Sequence, residues 1–261
     1  MISSTLEHCP DIQEISLSHI SWKLKTFSQN SSIQCESSLF FHGILTEEMK
    51  TLAFSQFVQA IPILSELSFQ SHFEILSSHF LHEALSTKHS VNVTRISLYL
   101  DCLENFEQLS NIVALCQNLR HLTLNVVCKG QIRCPHIDFF VNMVCKHCSN
   151  LCTLSLTDLI NIDNTHVTIM VDRLPTLHTV LLPSGAHKVD RSTLFHMAQT
   201  QRQWEHLNLW GTAVDVKDIV QALELHHLQV KKLEHKYEGG LCSVGYGRVN
   251  MRIVDVIASI F

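Results

Sequence analysis

Leu119-Arg120-His121-Leu122-Thr123-Leu124 and Leu151-Cys152-Thr153-Leu154-Ser155-Leu156 share one pattern, apolar-x-x-apolar-x-apolar. The alternation that ends each hexad marks a short strand with one buried face. The pattern extends in both directions from this pair. Upstream it stands at Ile12-Ile15-Leu17, Leu64-Leu67-Phe69 and Val93-Ile96-Leu98. Downstream it stands at Leu177-Val180-Leu182, Trp204-Leu207-Leu209 and, weakly, Val230-Leu233-His235. Successive first positions are 52, 29, 26, 32, 26, 27 and 26 residues apart. The gap of 52 equals two periods of 26 and places a degenerate copy near Leu39-Phe40-Phe41. The gap of 32 carries an insertion, CKGQIRCP, at 128–135.

Helical spacing fills the intervals. Apolar residues recur at three- and four-residue steps in Phe73, Leu76, Phe80 and Ala84, and in Leu103, Phe106, Leu109 and Ile112. Ile137, Phe140, Val141 and Val144, then Ile219 and Leu223, then Ile253, Val256, Ile257 and Ile260 do the same. An ordinary α/β domain also alternates strands and helices. The near-constant spacing and the shared hexad favour an array of repeats, each too small to bury its own apolar face.

The hexads and their flanks resemble leucine-rich repeats over nearly the whole chain. The period is similar to the ribonuclease-inhibitor and cysteine-containing classes. Leu6-Glu7-His8-Cys9-Pro10, Leu115-Cys116-Gln117-Asn118-Leu119 and Cys145-Lys146-His147-Cys148-Ser149-Asn150-Leu151 resemble F-box/leucine-rich-repeat and zyg-11 type proteins, without a visible F-box. Leu209-Trp210-Gly211-Thr212-Ala213-Val214 with Asp218-Ile219 is similar to their segment between strand and helix. The resemblance implies an α/β solenoid, a horseshoe with a parallel sheet on the concave side and helices on the convex side. It implies one domain over 1–261 with about eight to nine repeats. One of these is degenerate, near 33–59, and the last, at 228–261, is irregular. Gly239, Gly240, Gly245 and Gly247 mark a terminal loop there. An apolar helix at 253–261 with no polar cap after it points to a longer ancestral array or a covering partner.

Side chains alternate along a strand, so the third, fifth and seventh positions of each copy face away from the helices. The third column reads Glu14, Glu66, Arg95, His121, Thr153, Thr179, His206, Lys232. The fifth is mostly small hydroxyls, and the seventh includes Tyr99, Asn125 and Trp210. Arg95, Tyr99, His121, Asn125, His206, Asn208 and Trp210 are therefore the expected partner-binding residues of the concave face. Aromatic and arginine side chains are the types enriched at binding hot spots. Trp210 is the strongest of them, because a large ring at an exposed strand end is costly unless a partner or its own loop covers it.

Composition narrows the function. The chain has 261 residues, 46% apolar and 16% charged, with a formal net charge of −5. That charge argues against nucleic acid as the partner. No run of about 18 apolar residues stands in the sequence, so no membrane span is expected. No secretory signal is visible, and the ten cysteines read as reduced thiols of a cytoplasmic or nuclear protein. Cys145 and Cys148, with Cys128, Cys134, His136 and Cys152 nearby, are raw material for zinc. One helix across 136–148 would separate the first pair by a turn, so no metal and no cofactor is expected. Around Cys242, Val244 stands where a nucleophile elbow needs glycine. Phosphate-loop, dinucleotide and zinc-protease motifs are missing.

The expected function is non-catalytic recognition of another protein on the concave face, not an enzyme. The resemblance narrows this to the substrate-recognition part of a cullin-type E3 ubiquitin ligase, with cullin-adaptor proteins as further partners. The alternative is a scaffold or inhibitor using the same face.

Overall fold

The structure is a computed structural model that describes residues 14–17, 20–29, 32–41, 64–69, 91–100, 113–126, 137–157, 162–237 and 240–245. All strands among these residues lie in one sheet, in chain order. They are β1 (Glu14–Leu17), β2 (Ile20–Gln29), β3 (Ser32–Phe41), β4 (Leu64–Phe69), β5 (Arg95–Leu100) and β6 (His121–Val126). β7 (Thr153–Thr157), β8 (Thr179–Leu181), β9 (Gln203–Asn208), β10 (Gln229–Tyr237) and β11 (Gly240–Gly245) follow. The four helices bounded within the described residues are α1 (Ile137–His147), α2 (Asn164–Arg173), α3 (Arg191–Gln199) and α4 (Val216–Glu224).

β3 through β10 run parallel, each strand beside the next. Parallel neighbours need a crossover between them, and the helical segments supply it. The hexads align in the sheet. Leu39, Leu67, Ile96, Leu122, Leu154, Val180, Leu207 and Leu233 form one continuous ladder. From Leu67 onward every member of that ladder is buried. The opposing wall comes from the helices, with Phe140, Val144, Met170, Leu194, Met197 and Ala222 in the same core. Consecutive helices touch, so α1 to α4 line one side of the sheet.

Each repeat is tied to the previous one at the start of its strand. The N–H groups of Arg120 and His121 both donate to Thr94 O, those of Cys152 and Thr153 to Arg120 O, and those of His178 and Thr179 to Cys152 O. Glu205 and His206 do the same with His178 O. Aspartates begin three of the helices. Asp163, Asp190 and Asp215 accept from the N–H of His166, Ser192 and Asp218, satisfying donors that the first helical turn leaves open.

Two parts depart from the sequence reading. The copy at Ile12-Ile15-Leu17 is expected to be a parallel repeat strand, but β1 pairs antiparallel with β2, and β2 antiparallel with β3. Only two residues separate β1 from β2 and β2 from β3, and so short a link permits only a hairpin. The glycine-rich segment expected as a terminal loop contains β11, which pairs antiparallel with β10 from Tyr237↔Gly240 to Lys232↔Gly245. The helices expected at 73–84, 103–112 and 253–261, the insertion at 128–135, Leu6–Pro10 and the part of the degenerate repeat after Phe41 lie outside the described residues.

Candidate binding face

The sheet face turned away from the helices carries the polar half of every hexad. Glu66, Arg95, His121, Thr153, Thr179, His206 and Lys232 stand side by side, one per strand. A second ladder, two residues on, joins Ser68, Ser97, Thr123, Ser155, Leu181, Asn208 and Glu234. Tyr99 pairs with Asn125 and Asn125 with Thr157 in a third. Arg95, His121 and His206 therefore share one row. Arg95 and His206 are four strand intervals apart, about 19 Å at the usual spacing. The row is a line of separate groups and not a converging constellation.

Ion pairs organise its two ends. At the β4 end Arg95 Nε lies 3.9 Å from Glu66 Oε1. At the β10 end Glu234 is held by Lys232 Nζ at 2.6 Å and by His206 Nε2 at 3.2 Å. Its contact with Lys232, and after that the one with His206, pulls the Glu234 carboxyl below the usual carboxylate range against the opposing effect of burial. His206 Nε2 faces Glu234 without hydrogen-bond alignment. Between these ends, burial, then Arg95, His178 and Arg120, hold the His121 imidazole below its ordinary pKa, and Glu66 opposes them.

Asn208 and Trp210 form a local unit. Asn208 Oδ1 accepts from the Trp210 N–H at 2.8 Å, so the Asn208 side chain closes the turn that leaves β9. Trp210 is expected as a strand position, yet β9 ends at Asn208 and Trp210 lies in the turn, with its side chain 41% exposed. Asn125 Oδ1 is buried with no hydrogen-bond partner among the described residues. The Tyr99 side chain lies outside the described residues. The role of the two glutamates was not legible in the sequence. Glu66 and Glu234 stand in the columns, but their pairing with Arg95 and with Lys232 and His206 depends on side-chain reach.

Cys145 and Cys148 make different contacts. Cys145 Sγ faces Ile169 O at 3.9 Å, on the side of α2. Cys148 Sγ lies 3.7 Å from Val113 O. Burial pushes the Cys116 and Cys148 thiols up to about 12 and the Cys145 thiol up to about 11. No group of three or more His, Cys, Asp or Glu among the described residues converges as metal ligands would. Cys128, Cys134 and His136 lie outside the described residues. No helix among the described residues is long and apolar enough to cross a membrane.

No protein-family model matches the chain, and no curated protein matches it.

Proposed function

We propose that the chain is a leucine-rich repeat horseshoe that holds another protein on the concave face of its sheet, and that it is the substrate-recognition part of a cullin-type ubiquitin ligase. One observation carries the first half. The polar ladder from Glu66 to Lys232 runs across seven strands on the side opposite the helices, and from Glu66 to Lys232 none of its side chains is buried. An open row of this kind gives a partner several regularly spaced anchors, as repeat proteins use their sheets. Recognition of this sort requires no bond-making step and no cofactor. The ligase assignment rests on the resemblance of the repeats, an analogy of fold. The buried thiols suit a cytoplasmic or nuclear setting.

The test is affinity purification of the tagged chain from cells with mass spectrometry, beside a Tyr99→Ala/His121→Ala/Trp210→Ala variant. Loss of a partner set from the variant, with cullin-adaptor proteins retained, supports both halves. A partner set lost from the variant with no adaptor in either sample leaves a scaffold or inhibitor that uses the same face. Identical partner sets without adaptors overturn the assignment.

A further inference from the structure

We infer that the part of the open face around Arg95, Arg120 and His121 binds an acidic peptide segment, an extended stretch of Asp and Glu side chains in the partner protein. The inference rests on the reading of this face as the binding site and adds the chemistry of what it holds.

The charges on the face are unevenly distributed. Among the described residues, His121 lies within electrostatic reach of Arg95, Arg120 and His178, and of a single carboxylate, Glu66. Glu66 is already engaged by Arg95. The Arg95 side chain remains 50% exposed. Arg120 is exposed, and no carboxylate among the described residues lies within ion-pair distance of it. At the far end Glu234 is satisfied by Lys232 and His206. From β5 to β8 the two outward ladders hold no acidic residue at all. The whole chain carries a net charge of −5, so this cluster opposes the sign of the molecule around it.

The neighbours suit an extended chain. Beyond the two arginines the face offers the hydroxyls of Thr123, Thr153 and Thr179, which can donate to a carboxylate or a peptide carbonyl. Arg95 and Thr179 stand three strand intervals apart, about 14 Å, the reach of roughly four residues of extended peptide. Arginine forks match carboxylates in pairs, so acidic side chains of such a segment can pair with Arg95 within the ladder and with exposed Arg120 at its edge, just before β6 and beside His121.

Fluorescence anisotropy with the full chain tests this, using labelled decaglutamate as the probe and decalysine, decaserine and oligouridylate as comparisons. The expected result is salt-sensitive binding of decaglutamate alone. Arg95→Gln/Arg120→Gln should weaken it by about 10-fold or more, and Lys217→Gln on α4 should leave it unchanged. His121→Lys, which fixes a positive charge in the same place, should strengthen it. Urea midpoints of all variants establish that they are folded. No decaglutamate binding, a double variant that binds as well as the parent, or tighter binding of oligouridylate would overturn the inference. If it fails while cellular partners still depend on Tyr99, His121 and Trp210, the face binds a different kind of protein segment and the proposed function stands. If those partners are also unaffected, both fall.

Discussion

Arg202 reaches back one repeat to Leu174. Its Nη1 donates to Leu174 O at 2.8 Å and its Nη2 to Val171 O at 2.5 Å. Leu174 is the C-cap of α2, so one guanidinium satisfies two carbonyls that the end of that helix leaves open. The same guanidinium stands 6.0 Å from the Trp204 ring centroid. Trp204 is fully buried and occupies the first apolar position of its hexad, where the other copies have an aliphatic residue.

Arg202→Met should therefore loosen the joint between two repeats. It keeps most of the aliphatic stem and removes both charged hydrogen bonds, for a loss of about 2 kcal/mol. A lowered urea midpoint with an unchanged slope would show it. A midpoint equal to the parent's would mean that water satisfies those carbonyls equally well.

Gly211 has φ +83°, in the left-handed region. A Cβ there would collide with the backbone of Ser184 in the preceding repeat. Gly211→Ala should destabilise by about 2 kcal/mol or more, from the backbone conformation and the overpacking together. Thermal unfolding followed by circular dichroism checks this, and an unchanged melting temperature would refute the close approach.

The thiols of Cys116, Cys145 and Cys148 should resist iodoacetamide in the native state near pH ~8 and react once the chain is unfolded, because the thiolate is the reactive form. Burial raises all three above the ordinary value of 9.0, to about 11 for Cys145 and about 12 for Cys116 and Cys148. Groups raised in the folded state contribute stability that is fully present below pH 9.0 and lost as pH climbs through the raised values. Mass spectrometry of labelled native protein is the direct measurement, and rapid native labelling of Cys116 or Cys148 would contradict the packing.

His121 should titrate below its ordinary pKa of 6.5, with burial the largest cause and Arg95, His178 and Arg120 adding to it. A histidine depressed in the folded state contributes stability that is present above pH 6.5 and lost as pH falls through the lowered value. Arg95→Gln/Arg120→Gln should move the His121 titration upward, followed by NMR of the imidazole carbon-bound protons. Identical titrations in the two proteins would separate His121 from the arginines.

Part of this was legible from the hexads alone. Leu122, Leu154, Val180 and Leu207 had to share a face, because a strand repeats every two residues and the copies recur at a near-constant interval. The same period aligned Arg95, His121 and His206 on the opposite face. β2 was not legible. Its sequence, ISWKLKTFSQ, lacks the hexad, and its direction follows from the short links on either side. Trp210 was read as a strand residue because the column count runs on past Asn208, where the Asn208 side chain turns the chain instead.

The sequence by itself determined the repeat, the parallel order of the strands from β3 to β10 and the division of each strand into an apolar and a polar face. Those follow from periodicity, which is local and additive along the chain. Only the tertiary structure decided which polar groups meet. Arg202 with Leu174, Arg95 with Glu66, and His206 with Glu234 are each separated by 28 or 29 positions in the chain. Their contacts depend on how far one repeat sits from the next and on which way each long side chain turns, and no spacing rule in the sequence contains that distance.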